Sequence, residues 1–274
     1  MSSMSTGNEV IVVPAGVYAA EFDIVSNGGT YREIVGPGCG ATERSLYEVV
    51  LTPAAQVQPL THPGDAVYFV ESGAAVITDF NSGEAQDVVT GAMVHVAGGS
   101  TYQLSSTTGA RLLGGPSPVD PGLADGTSVG ARNAGPARID VYHCDEPGLM
   151  VPFISRDARM IVWLGRGHRT ANMNYVVLEP GERNKEHVHR YSEDTIHILE
   201  GHGTAEDVTH GLKLPVGPGD TVHIAPGTWH AVAADLGERV VSVGGPCPAD
   251  LDMLRAVGVD VDSMVGTDPD IEVR

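Results

Sequence analysis

Cationic side chains are scarce in this sequence. Lys and Arg total 16 against 35 Asp and Glu, leaving a formal charge of −19. Nucleic-acid affinity rests on neutralising phosphates with Lys and Arg. A nucleic-acid partner is therefore not expected, nor is an anionic membrane surface. An anionic substrate would need a local positive centre, either a metal ion or an arginine. Cysteine is also sparse. Cys39, Cys144 and Cys247 are odd in number and far apart, which excludes a disulfide framework and a CxxC site. No stretch approaches the ~18 apolar residues that a membrane-crossing helix needs. The start of the chain, MSSMSTGNEVIVVPAG, lacks a basic segment followed by a long apolar run. No secretory signal is expected, and the expected location is the cytoplasm. Long amphipathic helical patterns are missing as well. The best helical candidate is short and near the end, Pro248 to Val257.

Turn formers and short apolar runs are abundant. There are 35 Gly and 18 Pro, while Phe (4) and Trp (2) are few. Runs such as YEVVLTP (47–53), AVYFVESG (66–73), AAVITDF (74–80) and AMVHVAGG (92–99) are β-rich and bounded by turn residues. This pattern predicts an all-β sandwich or barrel. The chain also repeats itself. Arg32–Pro53 aligns without gaps on Arg159–Pro180 at an offset of 127. Gly91–Tyr102 aligns on Gly219–His230 at 128, and Gly114–Asp120 on Gly244–Asp250 at 130. A period this long means tandem domains, not a solenoid. The predicted division is 1–135 and 136–274, within a Gly/Ala/Pro-rich stretch.

The chemistry-bearing stretch is Gly181–Gly203, GERNKEHVHRYSEDTIHILEGHG. On extended chain, residues i and i+2 share a face, so His187 and His189 can aim two imidazoles at one point. Glu193 and Asp194 follow, and imidazole with carboxylate suits a borderline divalent metal. If Asp194 points inward, Ile196 and Ile198 share its face. If Glu193 does, His197 joins the site.

This segment resembles the first motif of the cupin superfamily, in which a Gly, a His-x-His pair, an acid and a second Gly recur at set intervals. Gly181, His187, His189 and Gly201 fit in place. Gly219–His230, GDTVHIAPGTWH, resembles the second motif, departing only at Ala225, where proline is usual. The resemblance covers both copies and implies two tandem jelly-roll barrels with a short C-terminal helix. It also implies a metal held by three His and one acid in the mouth of the second barrel. The implied ligands are His187, His189 and His230 with Glu193, which fits by residue type, or Asp194, which fits by register. The first copy has Leu60 in place of the first histidine, Ala66 at the acid position and Tyr102 in place of His230, and retains only His62. It is read as structural, a partner burying one sheet of the catalytic copy.

Other residues are candidates beside the metal. His197, with Glu193 or Asp194, is a candidate for proton transfer, since imidazole titrates near neutrality. Arg169, Asn174, Tyr175, His223 and Trp229 are candidates for substrate contact. His223 matches His95 of the metal-free copy, which argues for a structural role shared by both. The resemblance implies an enzyme with one divalent metal. Fe(II) is favoured, with Mn(II), Ni(II) or Zn(II) as alternatives. The favoured reaction is dioxygenation of a small polar, enolic or phenolic metabolite, with O2 as co-substrate, as in quercetinase-like and acireductone-type cupins. The alternative is non-redox chemistry of the aminohydrolase, decarboxylase or isomerase kind. Ureidoglycine aminohydrolases share the layout but carry Glu at the position of His187. A non-enzymatic small-molecule binder is the third reading, and homo-oligomerisation is compatible with the family.

Overall fold

The computed structural model describes residues 10–130, 138–168 and 170–265. Among these, strands form an eleven-stranded sheet, a seven-stranded sheet and a three-stranded sheet. The first copy builds the eleven-stranded sheet around Asp65–Asp79, a 15-residue strand. Its first half pairs with Ala92–Val96 and Ala110–Ser117, and its second half with Ala85–Val89 and Thr101–Ser106. In the second copy the matching chain is split into Glu193–Glu200 and Gly203–Asp207. The two pieces lie in different sheets, which close on each other. Leu178, Ile198, Val222 and Ile224 of the seven-stranded sheet pack against Ala205, Val216, Val232 and Ala234 of the three-stranded one. Gly201 sits at the break with φ +78, and a Cβ there would run into the carbonyl of Arg239. The closing glycine of the first motif is thus demanded by backbone crowding.

The expected division at 135/136 falls within residues 131–137, outside the described residues. Strands nevertheless cross it in both directions. Val10–Val13 lies in the seven-stranded sheet of the second copy, with Val10 opposite Ile224. Ile139–His143 lies in the sheet of the first copy, with Asp140 opposite His95. Between the copies, Val67, Phe69 and Met93 of the first pack on Ile161, Val162, Met173 and Val243 of the second. The sequence shows one helical pattern near the end. The structure places a helix there, Leu251–Ala256, capped by the Asp250 carboxylate, which accepts the Met253 amide at 3.0 Å. Among the described residues two further short α-helices, Gly122–Asp125 and Val261–Val265, are too brief to leave a periodic signal.

A polar clamp holds the two copies together. Glu193 is buried, and its carboxylate accepts hydrogen bonds from Thr42 N and Oγ1, both at 2.8 Å. It also accepts from Glu43 N at 3.0 Å and Arg44 N at 3.1 Å. Asp65 holds the aligned position in the first copy. It accepts from Thr170 N at 3.1 Å in the second copy and from Gly98 N at 3.0 Å. Each copy therefore offers one carboxylate to a backbone loop of the other. Unpaired buried N–H groups cost about 1–3 kcal/mol each. Glu193→Ala strands three backbone amides and should lower unfolding stability by about 3 kcal/mol or more, measured by denaturant titration. Asp65→Ala, which releases a single amide across the interface, should cost less.

Candidate metal centre

His187 and His189 lie on an extended but irregular segment beside the strand His230–Ala234. His187 and His230 exchange backbone hydrogen bonds at 3.1 and 2.9 Å. Nearby, the side-chain Oδ1 of Asn184 takes the Val232 amide at 2.9 Å, standing in for a strand backbone. The His189 carbonyl accepts from Gly227 N at 2.8 Å, tying the segment to the Pro-Gly turn of the second motif. Asp194 comes from the seven-stranded sheet, where it stands opposite Ile224 and Pro246. These elements bring His187, His189, Asp194 and His230 together, with one ligand atom from each within 4.8 Å of all the others.

Each imidazole is held from behind. His187 Nδ1 bonds the Lys185 carbonyl at 2.9 Å, and His230 Nδ1 bonds the Thr228 carbonyl at 2.9 Å. His189 Nδ1 bonds Asp250 Oδ2 at 2.6 Å. A carbonyl or carboxylate at Nδ1 fixes the tautomer that leaves the Nε2 lone pair for a metal. The Nε2 atoms of His189 and His230 each lie 3.7 Å from Asp194 Oδ2. Asp194 Oδ1 and His230 Nε2 are buried without a hydrogen-bond partner, and a divalent cation would satisfy both.

The electrostatics follow from this crowding. Burial opposes charge on Asp194, but hydrogen bonds and attraction from His189 and His230 outweigh it and hold the carboxyl well below its ordinary range. Burial also opposes charge on His189, and contacts with Asp194 and Asp250 overcome it, raising the pKa to about 9. Burial pushes His187 down to about 3, helped by His230 and His189. With Asp194 ionised and His187 neutral, the cluster has ligand atoms for one divalent ion, which would take the place of the proton that His189 shares with Asp194.

Several expectations from the sequence are corrected here. Glu193 is not directed at the cluster. Its carboxylate is consumed by the clamp to Thr42, Glu43 and Arg44, on the opposite face of its strand from Asp194. His197 shares that outer face. Its Nδ1 bonds Thr221 Oγ1 at 2.8 Å, and burial lowers its pKa to about 4. It therefore does not line the cavity beside the cluster, and neither Glu193 nor His197 is placed for proton transfer there. His223 also faces outward, with Nδ1 3.4 Å from Thr195 Oγ1. Tyr175 stacks under the Arg159 guanidinium at 5.3 Å and packs against the inter-copy core. Trp229 lies 46% exposed in a separate surface groove with Val188, Arg190 and Tyr191. Arg169 lies outside the described residues. Asn174 does line the cavity, together with Asn184, Ile196, Val232, Ser242 and Met253.

The residue that sequence reasoning missed is Asp250. It caps the last barrel's helix and orients His189 with the same carboxylate. The repeat held the signal, since Asp120 is its aligned counterpart and grips His62 Nδ1 at 2.6 Å. The first copy keeps this His–Asp pair but fills the metal position differently. His62 Nε2 meets Tyr102 Oη at 3.0 Å, Tyr102 meets Tyr68 at 2.6 Å, and Tyr68 meets Tyr31 at 3.1 Å. A chain of buried phenols occupies the space that the second copy leaves to His187, Asp194 and His230.

Two jelly-roll barrels in tandem, with a three-histidine, one-carboxylate cluster in the second, define the class of protein. Residues 174–243, within the second barrel, match the family model of the cupin domain. No curated protein matches the chain in sequence. Its fold is similar to oxalate decarboxylase from Bacillus subtilis, whose structure was studied for its Mn(II) centres. That match has 14% identity and a TM-score of 0.64, covering 92% of this chain and 84% of that one. It is also similar to protein Ylba from E. coli, with 15% identity and a TM-score of 0.66, covering 89% and 93%. A structural-genomics target from Pseudomonas aeruginosa matches at 18% identity and a TM-score of 0.66, covering 88% and 90%. At these identities the likeness establishes the fold.

His187→Ala, Asp194→Ala and His230→Ala should each release the metal held by this cluster, read by elemental analysis after gel filtration. Glu193→Gln should retain it. Asp250→Asn should weaken metal affinity by roughly 10–100-fold, the usual cost of losing a carboxylate behind a ligand histidine.

Proposed function

We propose that this chain is a metal-dependent enzyme acting on a small, oxygen-bearing metabolite, and that it is an oxygenase when loaded with Fe(II). The observation that carries the reading is the cavity against the cluster. It measures about 50 Å³, room for roughly three to five water-sized groups. A bulky aromatic substrate does not fit such a space, whereas a short hydroxy, keto or enolic acid does. Its walls are mainly apolar, from Ile154, Val176, Leu178, Ile196, Val232 and Met253. The titratable side chains lining it, among the described residues, are His187, His189 and Asp194, all members of the cluster.

When bound, the metal supplies Lewis acidity and, as Fe(II), one-electron chemistry toward O2. His187, His189, His230 and Asp194 would hold it. Asp250 keeps His189 oriented, and the Lys185 and Thr228 carbonyls do the same for His187 and His230. The apolar wall excludes bulk water, which strengthens every electrostatic contact inside. Asn174 Oδ1 is buried without a partner, so it is free to accept a hydrogen bond from a substrate hydroxyl or amine. Hydrolysis or decarboxylation requires a proton donor or acceptor beside the substrate. The described lining offers no titratable side chain outside the ligand cluster. The Mn(II) centres of the B. subtilis decarboxylase, which shares the fold, support non-redox chemistry as the second reading.

The test is anaerobic loading with Fe(II) or Mn(II), then O2 uptake with short hydroxy, keto and enolic acids. Turnover only with Fe(II) and O2 is the expected result. Equal turnover with Mn(II) in the absence of O2 would overturn the oxygenase reading. Asn174→Ala should raise KM roughly five- to tenfold, the worth of one hydrogen bond, with metal content unchanged.

A further inference from the structure

A second cluster lies between the two copies, away from the cavity. His95 and His168 are fully buried, at 1% and 0% exposure, with ring centroids 3.7 Å apart. Asp140 stands directly opposite His95 in the strand pairing. One ligand atom from each of His95, Asp140 and His168 lies within 4.8 Å of the others. His95 comes from the first sheet, Asp140 from the strand that crosses into it, and His168 from a loop of the second copy.

The hydrogen-bond pattern singles out the inward nitrogens. His168 Nε2 is engaged by Tyr142 Oη at 3.0 Å, while its Nδ1 has no partner among the described residues. His95 Nε2 lies 3.4 Å from Asp65 Oδ2, and His95 Nδ1 lies 3.5 Å from Asp140 Oδ2. Neither contact of His95 meets hydrogen-bond geometry. Asp65 already accepts from Thr170 N and Gly98 N. His168 thus has one nitrogen held by an oxygen and the other unmet, the arrangement of a metal-ligating histidine, while both His95 nitrogens face carboxylate oxygens beyond hydrogen-bond geometry. Two buried imidazoles with unmet donors or acceptors are costly unless something bridges them. Asp140 Oδ2, the oxygen facing His95, also accepts from Arg138 Nε at 3.1 Å.

The internal repeat supplies a control. By the same alignment His95 corresponds to His223, Asp65 to Glu193 and His168 to Ala41. The crossing strand of the second barrel places Ile11, not an acid, opposite His223. Of the two related interface positions, only one has gained the second histidine and the carboxylate. A histidine conserved between copies for packing alone would not call for both additions at one site.

We propose that His95, His168 and Asp140 form a structural site for a divalent transition metal of the zinc type, which staples the first barrel to the second. Two imidazole nitrogens and one carboxylate oxygen are a borderline donor set suited to Zn²⁺, with a water completing four-coordination. The site is independent of the cluster at His187.

The test uses the full chain, stripped with chelator and reloaded with Zn²⁺. His187→Ala/His230→Ala disables the cavity cluster and should still bind about one equivalent. Adding His168→Ala, the residue that the related position carries naturally, should abolish that equivalent. The thermal stabilisation by Zn²⁺ should vanish with it. Asp140→Asn, which preserves shape, should weaken Zn²⁺ binding at least about tenfold. The proposal fails if the doubly substituted protein, folded by circular dichroism, binds no Zn²⁺. It also fails if the equivalent survives His168→Ala.

Discussion

The carboxylate of Glu193 is the constraint on which this molecule turns. Side chains alternate across a strand, so fixing one residue fixes the faces of its neighbours. Once Glu193 is bound to the Thr42–Arg44 backbone in the other copy, Asp194, Ile196 and Ile198 must face the barrel interior. Thr195 and His197 must face the inter-copy surface. The interface contact thereby selects which acid enters the cluster. Four hydrogen bonds to a buried carboxylate hold that choice far more firmly than an exposed ion pair would.

The duplication shows how similar scaffolds reach two different interiors. Both barrels keep a histidine gripped at Nδ1 by an aspartate, His62 with Asp120 and His189 with Asp250. Beyond that point they diverge. The first barrel surrounds its histidine with phenols, which are satisfied by one another and pack as hydrophobic bulk. The second surrounds it with imidazoles and a carboxylate, which leave polar atoms unmet. One interior is complete as protein alone, and the other has the donor set of an ion site.

Much of this was legible before any coordinates. Period-2 runs between Gly and Pro turns indicate the β architecture, and the near-constant offset indicates two barrels. The i, i+2 placement of His187 and His189 puts two imidazoles on one face, and the resemblance to the second cupin motif implies His230 as the third. The acid was not decidable from the motif, because Glu193 and Asp194 differ only in which face they occupy, and a contact about 150 residues away sets that face. Asp250 was hidden for a related reason: it reads as an ordinary helix cap, and its second role exists only in three dimensions. His197, Tyr175 and His223 misled because strands buried on both faces do not alternate polar and apolar, so a buried polar residue need not face the cavity. The exchange of strands between the copies left no trace in the local pattern.

That exchange bears on how the chain is made. Val10–Val13 must wait for Thr221–Ile224 before its backbone groups find their ladder, about 200 residues of synthesis later. At ribosomal rates of about 5–20 residues per second, that is a delay of roughly 10–40 s. During it an apolar edge segment has no partner. The first barrel, by contrast, needs only Ile139–His143 to finish its sheet. Vectorial synthesis therefore favours an order in which the phenol-filled barrel closes first and then serves as the surface on which the metal-type barrel assembles. The N-terminal strand is the last part to lock.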